Sequence, residues 1–286
     1  LMTWARTRRV LVLVGALALT LASLIPVLNC LEDVRLWRKE ALKQEQRLPA
    51  ILQLETGMNR LGMTDGEVTV LEENPDILAA LDIQYVMSHF ACADEVDHPL
   101  TSQQFKRFDA LSARLPKAKR SLANSSGIFR SPNYYFDQVR SGMALYGSNP
   151  TLETKSPMNP VVSLKARIIQ VKTVPQGESI GYGATHIFDR PTTVASISLG
   201  FADGILRSLG NRGVVFYDGK PCPVIGRVSM DCMTIDMGEL KPKVGEFIEI
   251  LGQHQHLGDL ALQAGTIDYE ILTSLGRRYK QIYING

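Results

Sequence analysis

Apolar and polar positions follow two different patterns along this chain, one in its first half and one in its second. From Ile25 to Gly147, short apolar runs of strand length are followed by segments with apolar residues at helical spacing. Strand–helix alternation of this kind predicts a parallel sheet built from β/α units. The predicted strands are Ile25–Leu28, Ala50–Leu54, Tyr85–Phe90, Lys119–Ala123 and Val139–Tyr146, and the predicted helices are Leu31–Arg47, Val68–Leu81 and Ser102–Leu115.

The pattern of apolar and polar positions changes after Gly147–Asn159, a polar stretch with two prolines that predicts a linker. Beyond it, β-rich runs separated by turns such as Asp218-Gly219 predict a small all-β domain or barrel. A final strand is predicted at Tyr279–Ile284. The other predicted strands are Val161–Val174, Thr192–Leu199, Gly213–Tyr217, Pro223–Val228, Met233–Met237 and Glu246–Leu251, with helices at Leu257–Ala264 and Asp268–Leu275.

The length of the strand–helix region decides the fold class. A full (β/α)8 barrel takes about 250 residues, and the stretch from Ile25 to Gly147 provides only enough for four or five units. We therefore predict an α/β plus all-β protein, in which a partial (β/α)8 TIM-type barrel precedes a C-terminal β-barrel-like domain. The predicted boundaries are 1–24 for an apolar segment outside the fold, 25–150 for the partial barrel and 151–286 for the β domain.

The first residues invite a second interpretation. Arginines at positions 6, 8 and 9 precede an uncharged run from Val10 to Leu28, which is long enough to cross a bilayer. Pro26 interrupts the run, and its end overlaps the predicted strand Ile25–Leu28, which cannot also be a membrane helix. We expect a cytoplasmic protein whose first residues derive from a shifted frame or a false start. A membrane anchor through residues 10–28 is the alternative.

Composition narrows the class of protein. With 31 basic and 29 acidic residues, the net charge is +2, which does not indicate binding to nucleic acid or to an anionic membrane. The four cysteines, Cys30, Cys92, Cys222 and Cys232, have no paired spacing, which favours reduced cytosolic thiols over disulfides or a zinc site. His254-Gln255-His256 predicts a turn between two strands, so no metal is expected.

A tyrosine between two glycines, Tyr182, lies at the head of the β-rich region in Ser179–His186 (SIGYGATH). The glycines allow a sharp turn and leave the ring uncovered, although a hairpin tyrosine would fit the same pattern. Six further motifs accompany it: ETGMNRLG at Glu55–Gly62, SHFACADE at Ser88–Glu95, ANSSG at Ala123–Gly127, VRSGMALYG at Val139–Gly147, GRVSMD at Gly226–Asp231 and TIDYE at Thr266–Glu270. In this order and spacing they resemble the alanine racemases, from about Ile25 to the C-terminus.

The resemblance implies pyridoxal 5′-phosphate as cofactor. It places His89 against the cofactor ring, has Arg140 donate to the pyridine nitrogen, and lets Arg60 reach the phenolic oxygen and the substrate carboxylate. Taken alone, His89 would be a structural strand-end residue and Arg60 a surface charge. The resemblance assigns binding of the cofactor phosphate to Asn124, Ser125, Gly142, Met143 and Tyr269. For Asn124-Ser125 a helix N-cap is equally attractive and compatible, because a capped helix start also attracts anions.

The resemblance also implies a homodimer whose active site is shared between subunits. Tyr182 is the catalytic base on one face of the substrate, and a Schiff-base lysine serves the other face. Tyr182 and Met230 reach into the partner's site, and Met230 and Asp231 line its substrate end; core packing is the alternative for Met230. The chain departs from the family at four places. It has no lysine in a VKANAYGHG-like motif, and Gln53, Phe201 and Ser141 stand where lysine, tyrosine and proline are common.

These observations predict an alanine racemase, truncated at its N-terminus and lacking the Schiff-base lysine segment. Its expected reaction interconverts L- and D-alanine for peptidoglycan supply. One alternative is an inactive remnant that binds pyridoxal 5′-phosphate weakly. The other is a membrane-anchored racemase of alanine or serine.

Overall fold

The computed structural model describes residues 24–151 and 156–284, which belong to two compact units. The first unit comprises residues 24–141 with Thr151, and the second comprises residues 142–150 and 156–284. The predicted apolar segment 1–24 lies almost entirely outside the described residues. The predicted domain boundaries therefore stay a prediction, and each unit is described by itself.

The first unit is a parallel sheet of five strands in the order β1-β2-β3-β4-β5. Helices follow most of the strands, as the alternating pattern predicted. The strands are β1 (Val27–Leu28), β2 (Leu48–Gln53), β3 (Leu81–Met87), β4 (Lys119–Asn124) and β5 (Gln138–Arg140), and the helices are α1 (Leu31–Lys43), α2 (Asp65–Glu73), α3 (Pro99–Ser112) and α4 (Ser125–Arg130).

The core of this unit forms between the sheet and its helices. Leu52 on β2, Val86 on β3 and Leu122 on β4 are buried, and Phe108 on α3 packs into the same cluster. Strands that are covered by helices read as continuous apolar runs, because both of their faces are buried. Because the five strands run parallel, their carboxyl ends lie at one edge of the sheet, where the predicted site residues of this unit lie.

The second unit is built on a closed antiparallel barrel of six strands in the order β10-β11-β12-β9-β6-β13. Alternate residues of these strands, such as Ile168, Ile197 and Ile235, fill its interior. The barrel strands are β6 (Leu164–Val174), β9 (Thr192–Ile197), β10 (Val214–Tyr217), β11 (Lys220–Ile225), β12 (Met233–Gly238) and β13 (Phe247–Leu251); a hairpin of β7 (Ser179–Ile180) and β8 (His186–Ile187) and the helices α5 (Leu257–Ala264) and α6 (Asp268–Ser274) complete the unit. Both units together confirm the predicted fold class.

Several predictions of local structure are wrong, among them the following three. The strand predicted at Val139–Tyr146 ends at Arg140, and a 3₁₀ turn at Met143–Tyr146 follows, because the backbone of Gly142 departs from extended geometry. Tyr279–Ile284 forms no strand, since no strand among the described residues pairs with it; its last three residues are 72–89% exposed. His254–His256 leads from β13 into α5 rather than into a strand.

Within the described parts of the chain, no helix has the length and apolar character needed to cross a membrane. Val27 and Leu28, which the alternative interpretation assigned to a membrane anchor, pair with β2 as a strand. Residues 10–23 of that predicted anchor lie outside the described residues.

Candidate functional site

Arg140 and His89 meet at the carboxyl edge of the parallel sheet. Arg140 ends β5, and its Nη1 donates to the Ser121 Oγ at 2.5 Å. Its Nη2 donates to the backbone carbonyl of Ser88 and lies 3.4 Å from the Nδ1 of His89. The guanidinium is thus fixed in place by groups from β4 and from the end of β3, beside the imidazole.

Burial and charge set the protonation of this pair. Burial, together with the nearby positive charges of Arg140 and Arg60, lowers the pKa of His89 to about 4. Burial also lowers the pKa of Arg140 to about 10. At neutral pH the edge therefore presents a neutral imidazole next to a protonated guanidinium.

A buried polar network behind His89 holds its strand end in position. Gln104 on α3 donates to the His89 carbonyl at 2.9 Å and accepts from the N–H of Ala91 at 2.9 Å. The hydroxyls of Thr56 and Ser88 lie 2.7 Å apart, and Ser88 also donates to the Leu54 carbonyl. Sequence reasoning missed this network. Ser88 directly precedes His89 in its motif, but nothing in the helical pattern identifies Gln104 as a buried polar residue.

Arg60 is exposed near the tip of the Glu55–Gly62 loop, which follows β2. The Glu55 carboxylate accepts the N–H groups of Gly57 and Asn59 and so closes the loop on itself. Gln53, the departure from the common lysine, donates through Nε2 to the Leu61 carbonyl at 3.3 Å. The glutamine thus supports the backbone next to Arg60 rather than its side chain.

Asn124 and Ser125 form the junction between β4 and α4. Asn124 is the N-cap of the helix, and its side chain accepts the Gly127 N–H at 2.9 Å. The parallel register pairs Asn124 with Arg140, and Ser125 is buried at the first helical position. The capping alternative for Asn124 is thus present in the structure. The first unit brings Asn124, His89 and Arg140 to one edge.

Met143 and Tyr269 lie together in the second unit. The Tyr269 hydroxyl has a hydrogen bond with the backbone N–H of Met143, the residue after Gly142. Partial burial raises the pKa of Tyr269, and the neighbouring Tyr146 raises it further, so the phenol stays protonated. Ser148 of the same segment donates to the Asp268 carboxylate, which anchors the start of α6.

Tyr182 is 71% exposed in the turn of the β7–β8 hairpin. Gly181 and Gly183 on either side have φ of 71° and 75°, values that glycine adopts without strain. The guanidinium of Arg227 lies against this turn: a methyl group on Gly183 would come within 3.1 Å of its Nη1. In its own unit, Arg227 thus places a cation against the tyrosine turn.

Met230 and Asp231 follow the barrel strand β11 on an exposed loop. The backbone N–H of Ala202 donates to the Met230 carbonyl at 2.9 Å and that of Phe201 to the Ser229 carbonyl at 3.0 Å, which joins the two loops. Met230 and Phe201 are 56% and 43% exposed. Core packing, the alternative for Met230, is therefore wrong.

Arg278 holds this pair of loops together from one side. Its Nη1 lies 2.7 Å from the Asp231 Oδ1, and its Nε lies 3.2 Å from the Asp203 Oδ1. Tyr279 donates to the Asp203 carbonyl at 2.6 Å. Neither residue was predicted for the site: Arg278 lies between the predicted helix Asp268–Leu275 and the predicted strand Tyr279–Ile284, and Tyr279 begins that strand.

Comparison with known proteins places these residues in a family. The profile of the alanine racemase N-terminal domain matches residues 5–150, and that of the alanine racemase C-terminal domain matches residues 161–283. The chain is 43% identical over 277 residues to the alanine racemase of Brucella abortus, covering 91% of this chain and 70% of that protein. It is 44% identical over 265 residues to the alanine racemase of Rhodospirillum rubrum, covering 92% and 71%.

Solved structures agree with the sequence comparison. The alanine racemase from Bartonella henselae with covalently bound pyridoxal phosphate superposes with a TM-score of 0.90 at 39% identity, over 94% of this chain and 76% of that one. The biosynthetic alanine racemase from Pseudomonas aeruginosa gives a TM-score of 0.87 at 33% identity, over 95% and 76%. This chain belongs to the alanine racemase family.

Proposed function

We propose that this protein interconverts L- and D-alanine with pyridoxal 5′-phosphate as cofactor, as a homodimer in the cytoplasm that supplies D-alanine for peptidoglycan. The observation that carries the proposal is the His89–Arg140 pair. A buried, protonated guanidinium beside a neutral imidazole suits an aromatic nitrogen base, because the guanidinium donates without giving up its proton. The four free thiols support a reducing compartment.

The donor set of the proposed site fits this cofactor. In the first unit, His89 and Arg140 provide a neutral and a cationic donor for the ring, and Ser125 provides a hydroxyl for the phosphate. In the second unit, the Met143 N–H and the protonated phenol of Tyr269 provide donors for the phosphate. None of them is a carboxylate, which would repel a phosphate dianion. When bound, the cofactor supplies the electron sink that makes the Cα proton of alanine removable.

The chain's own residues would then move the proton and hold the substrate. Tyr182 Oη is proposed to exchange the Cα proton on the face from which L-alanine reacts. Arg60 pairs with the substrate carboxylate, and Met230 and Asp231 line the substrate end, with Asp231 fixed by Arg278. Exposure of Tyr182 and Met230 supports the homodimer, since two side chains proposed to serve a partner's site lie uncovered on their own subunit.

The other face of the substrate needs a second base, which the family provides as a lysine. In the described first unit, no lysine stands at the carboxyl end of any of the five strands. This observation favours a second candidate function for the 286 residues by themselves: reversible binding of pyridoxal 5′-phosphate without racemisation. Covalent attachment of the aldehyde needs an amine at the site.

A binding titration tests the site. Purified chain is titrated with pyridoxal 5′-phosphate, and Arg140→Gln and His89→Leu are compared with Arg35→Gln, which changes an exposed arginine on α1. We expect each variant to weaken binding by at least about tenfold, because Arg140→Gln removes a charge-assisted contact to the ring and His89→Leu removes the imidazole proposed to pack against it. Equal affinity in all four proteins would contradict the site.

Borohydride reduction and an assay of D-alanine from L-alanine separate the two candidate functions. Trapping of cofactor on one lysine together with D-alanine formation would establish racemisation by this chain and exclude reversible binding alone. Saturable binding with neither signal would contradict racemisation by these 286 residues and favour reversible binding.

A further inference from the structure

The loop between β3 and α3 brings a thiol, a carboxylate and an imidazole together. One ligand atom each from Cys92, Glu95 and His98 lie within 4.8 Å of one another. Zinc binds such atoms at about 2.0–2.3 Å, which places neighbouring tetrahedral donors about 3.5 Å apart. Small side-chain rotations bring the three donors to that spacing. We propose that this loop binds a divalent transition metal, zinc being the best match.

The backbone of the loop is already fixed where the ligands attach. The Cys92 carbonyl accepts the Glu95 N–H and the Thr101 hydroxyl, both at 3.2 Å. Arg130 on α4 donates to the carbonyls of Ala93 and Asp94 at 2.8 and 2.7 Å. The three ligands therefore project from a turn held by two helices, and a metal would have only side chains to arrange.

The kinds of donor decide which metal fits. Thiolate and imidazole favour zinc and its neighbours in the transition series, whereas magnesium and calcium prefer oxygen alone. Asp94 and Asp97 add two further carboxylates to the same loop, so a divalent cation would reduce a concentration of negative charge. Three protein ligands leave the fourth position open to water or an outside ligand.

One hydrogen bond must be exchanged when the metal binds. His98 is the N-cap of α3, and its Nδ1 accepts the Leu100 N–H at 3.2 Å. Zinc on either ring nitrogen ends this bond, because Nδ1 then carries either the metal or a proton. The bond is long and lies at a helix start, where water can take over the freed N–H.

The proposal does not depend on the racemase function, since none of the three ligands is assigned to cofactor or substrate. Sequence reasoning expected no metal, because the four cysteines have no paired spacing and His254-Gln255-His256 was interpreted as a turn. The structure supplies what the spacing did not: the loop folds back and brings the three side chains to one side.

Cobalt titration of the full chain, stripped of metal with a chelator, tests the site. We expect one Co²⁺ per chain, a thiolate-to-cobalt charge-transfer band in the near ultraviolet, and displacement by excess Zn²⁺. Cys92→Ser removes the band, and Glu95→Gln and His98→Asn weaken binding by at least about tenfold, since changes even in supporting residues reach that size. Asparagine keeps a capping acceptor for α3. Cys30→Ser, which changes another partly buried thiol, leaves the band unchanged.

A wild-type chain without the band overturns the proposal, as does a band that persists in Cys92→Ser or disappears in Cys30→Ser. If Cys92→Ser does not fold, the exposed Glu95 decides the question. Its change to glutamine leaves the fold intact, and unchanged cobalt affinity in Glu95→Gln then refutes the site.

Discussion

His89 illustrates how the end of a strand sets the chemistry of one residue. The same side chain in water would titrate near neutral pH, but burial and the neighbouring guanidinium groups lower its pKa to about 4. In the unfolded chain the pKa returns to its ordinary value. As pH falls, the unfolded state therefore takes up the proton first, and the folded state loses stability by the amount of that difference.

This linkage predicts that the free energy of unfolding depends on pH differently in the wild type and in His89→Gln. Between about pH 6.5 and pH 4, the free energy of unfolding of the wild type should fall more steeply than that of the variant, and below that window the two should run parallel. Urea unfolding at several pH values measures both. Parallel curves through the whole range would mean that His89 is not held neutral by its surroundings.

The proposed base Tyr182 gives a second prediction at this scale. In a form of the protein that also supplies the lysine, Tyr182→Phe keeps the ring and removes its hydroxyl. Loss of a positioned general base lowers a rate by about 100- to 10,000-fold. Solvent deuterium exchange into L-alanine should collapse while exchange into D-alanine persists. Near-normal exchange from both enantiomers would leave Tyr182 as a turn residue only.

At the scale of elements, the sequence predicted the bounds of a helix or strand best where a local signal marks both of its ends. Helix α5 has its predicted bounds, Leu257–Ala264, because Asp259 accepts the His256 N–H at its start and Gly265 adopts a left-handed conformation at its end. The helix predicted at Val68–Leu81 instead ends at Glu73, since Pro75 restricts the residue before it. The strand predicted at Tyr279–Ile284 failed because alternation alone provides no partner.

The motifs identified the candidate site residues, but the contacts of these residues were not predictable from the motifs. Arg140 donates to Ser121, to the Ser88 carbonyl and, at 3.4 Å, to the Leu122 carbonyl. These acceptors come from β4 and from the end of β3, and only the assembled sheet brings them together. Backbone carbonyls also carry no residue-specific signal in the sequence.

The junction of β4 and α4 allows its two roles to be separated experimentally. Asn124→Ala removes the acceptor for the Gly127 N–H and should lower the free energy of unfolding by about 1 kcal/mol. Asn124→Asp keeps the cap and suits the helix dipole, so stability should be retained, but its negative charge should weaken binding of pyridoxal 5′-phosphate. Urea unfolding and cofactor titration of both variants provide the comparison. Wild-type cofactor affinity in Asn124→Asp would restrict Asn124 to capping.

For the molecule as a whole, the two units differ in how their strands are closed. Among the described residues, β1 and β5 form the two edges of the parallel sheet, and Val27 and Val139 on them are 37% and 39% exposed. The six barrel strands of the second unit close on themselves and leave no edge in the barrel. Gly147 packs against the Asn159 backbone, so the segment Gly142–Pro150 belongs to the second unit, although the sequence pattern assigned it to the barrel and linker.

This difference predicts the outcome of limited proteolysis. Unpaired edges open locally at lower free energy than a closed barrel, so cleavage should fall first in the parallel unit. A protected fragment should begin between Gly142 and Pro157 and contain all six barrel strands, as mass spectrometry of the digest would show. Ile235→Lys, which buries a charge inside the barrel, should abolish the protected fragment, because an unpaired buried charge is strongly destabilising. Protection of a fragment that ends near Gly147 would instead mean that the parallel unit is the more stable of the two.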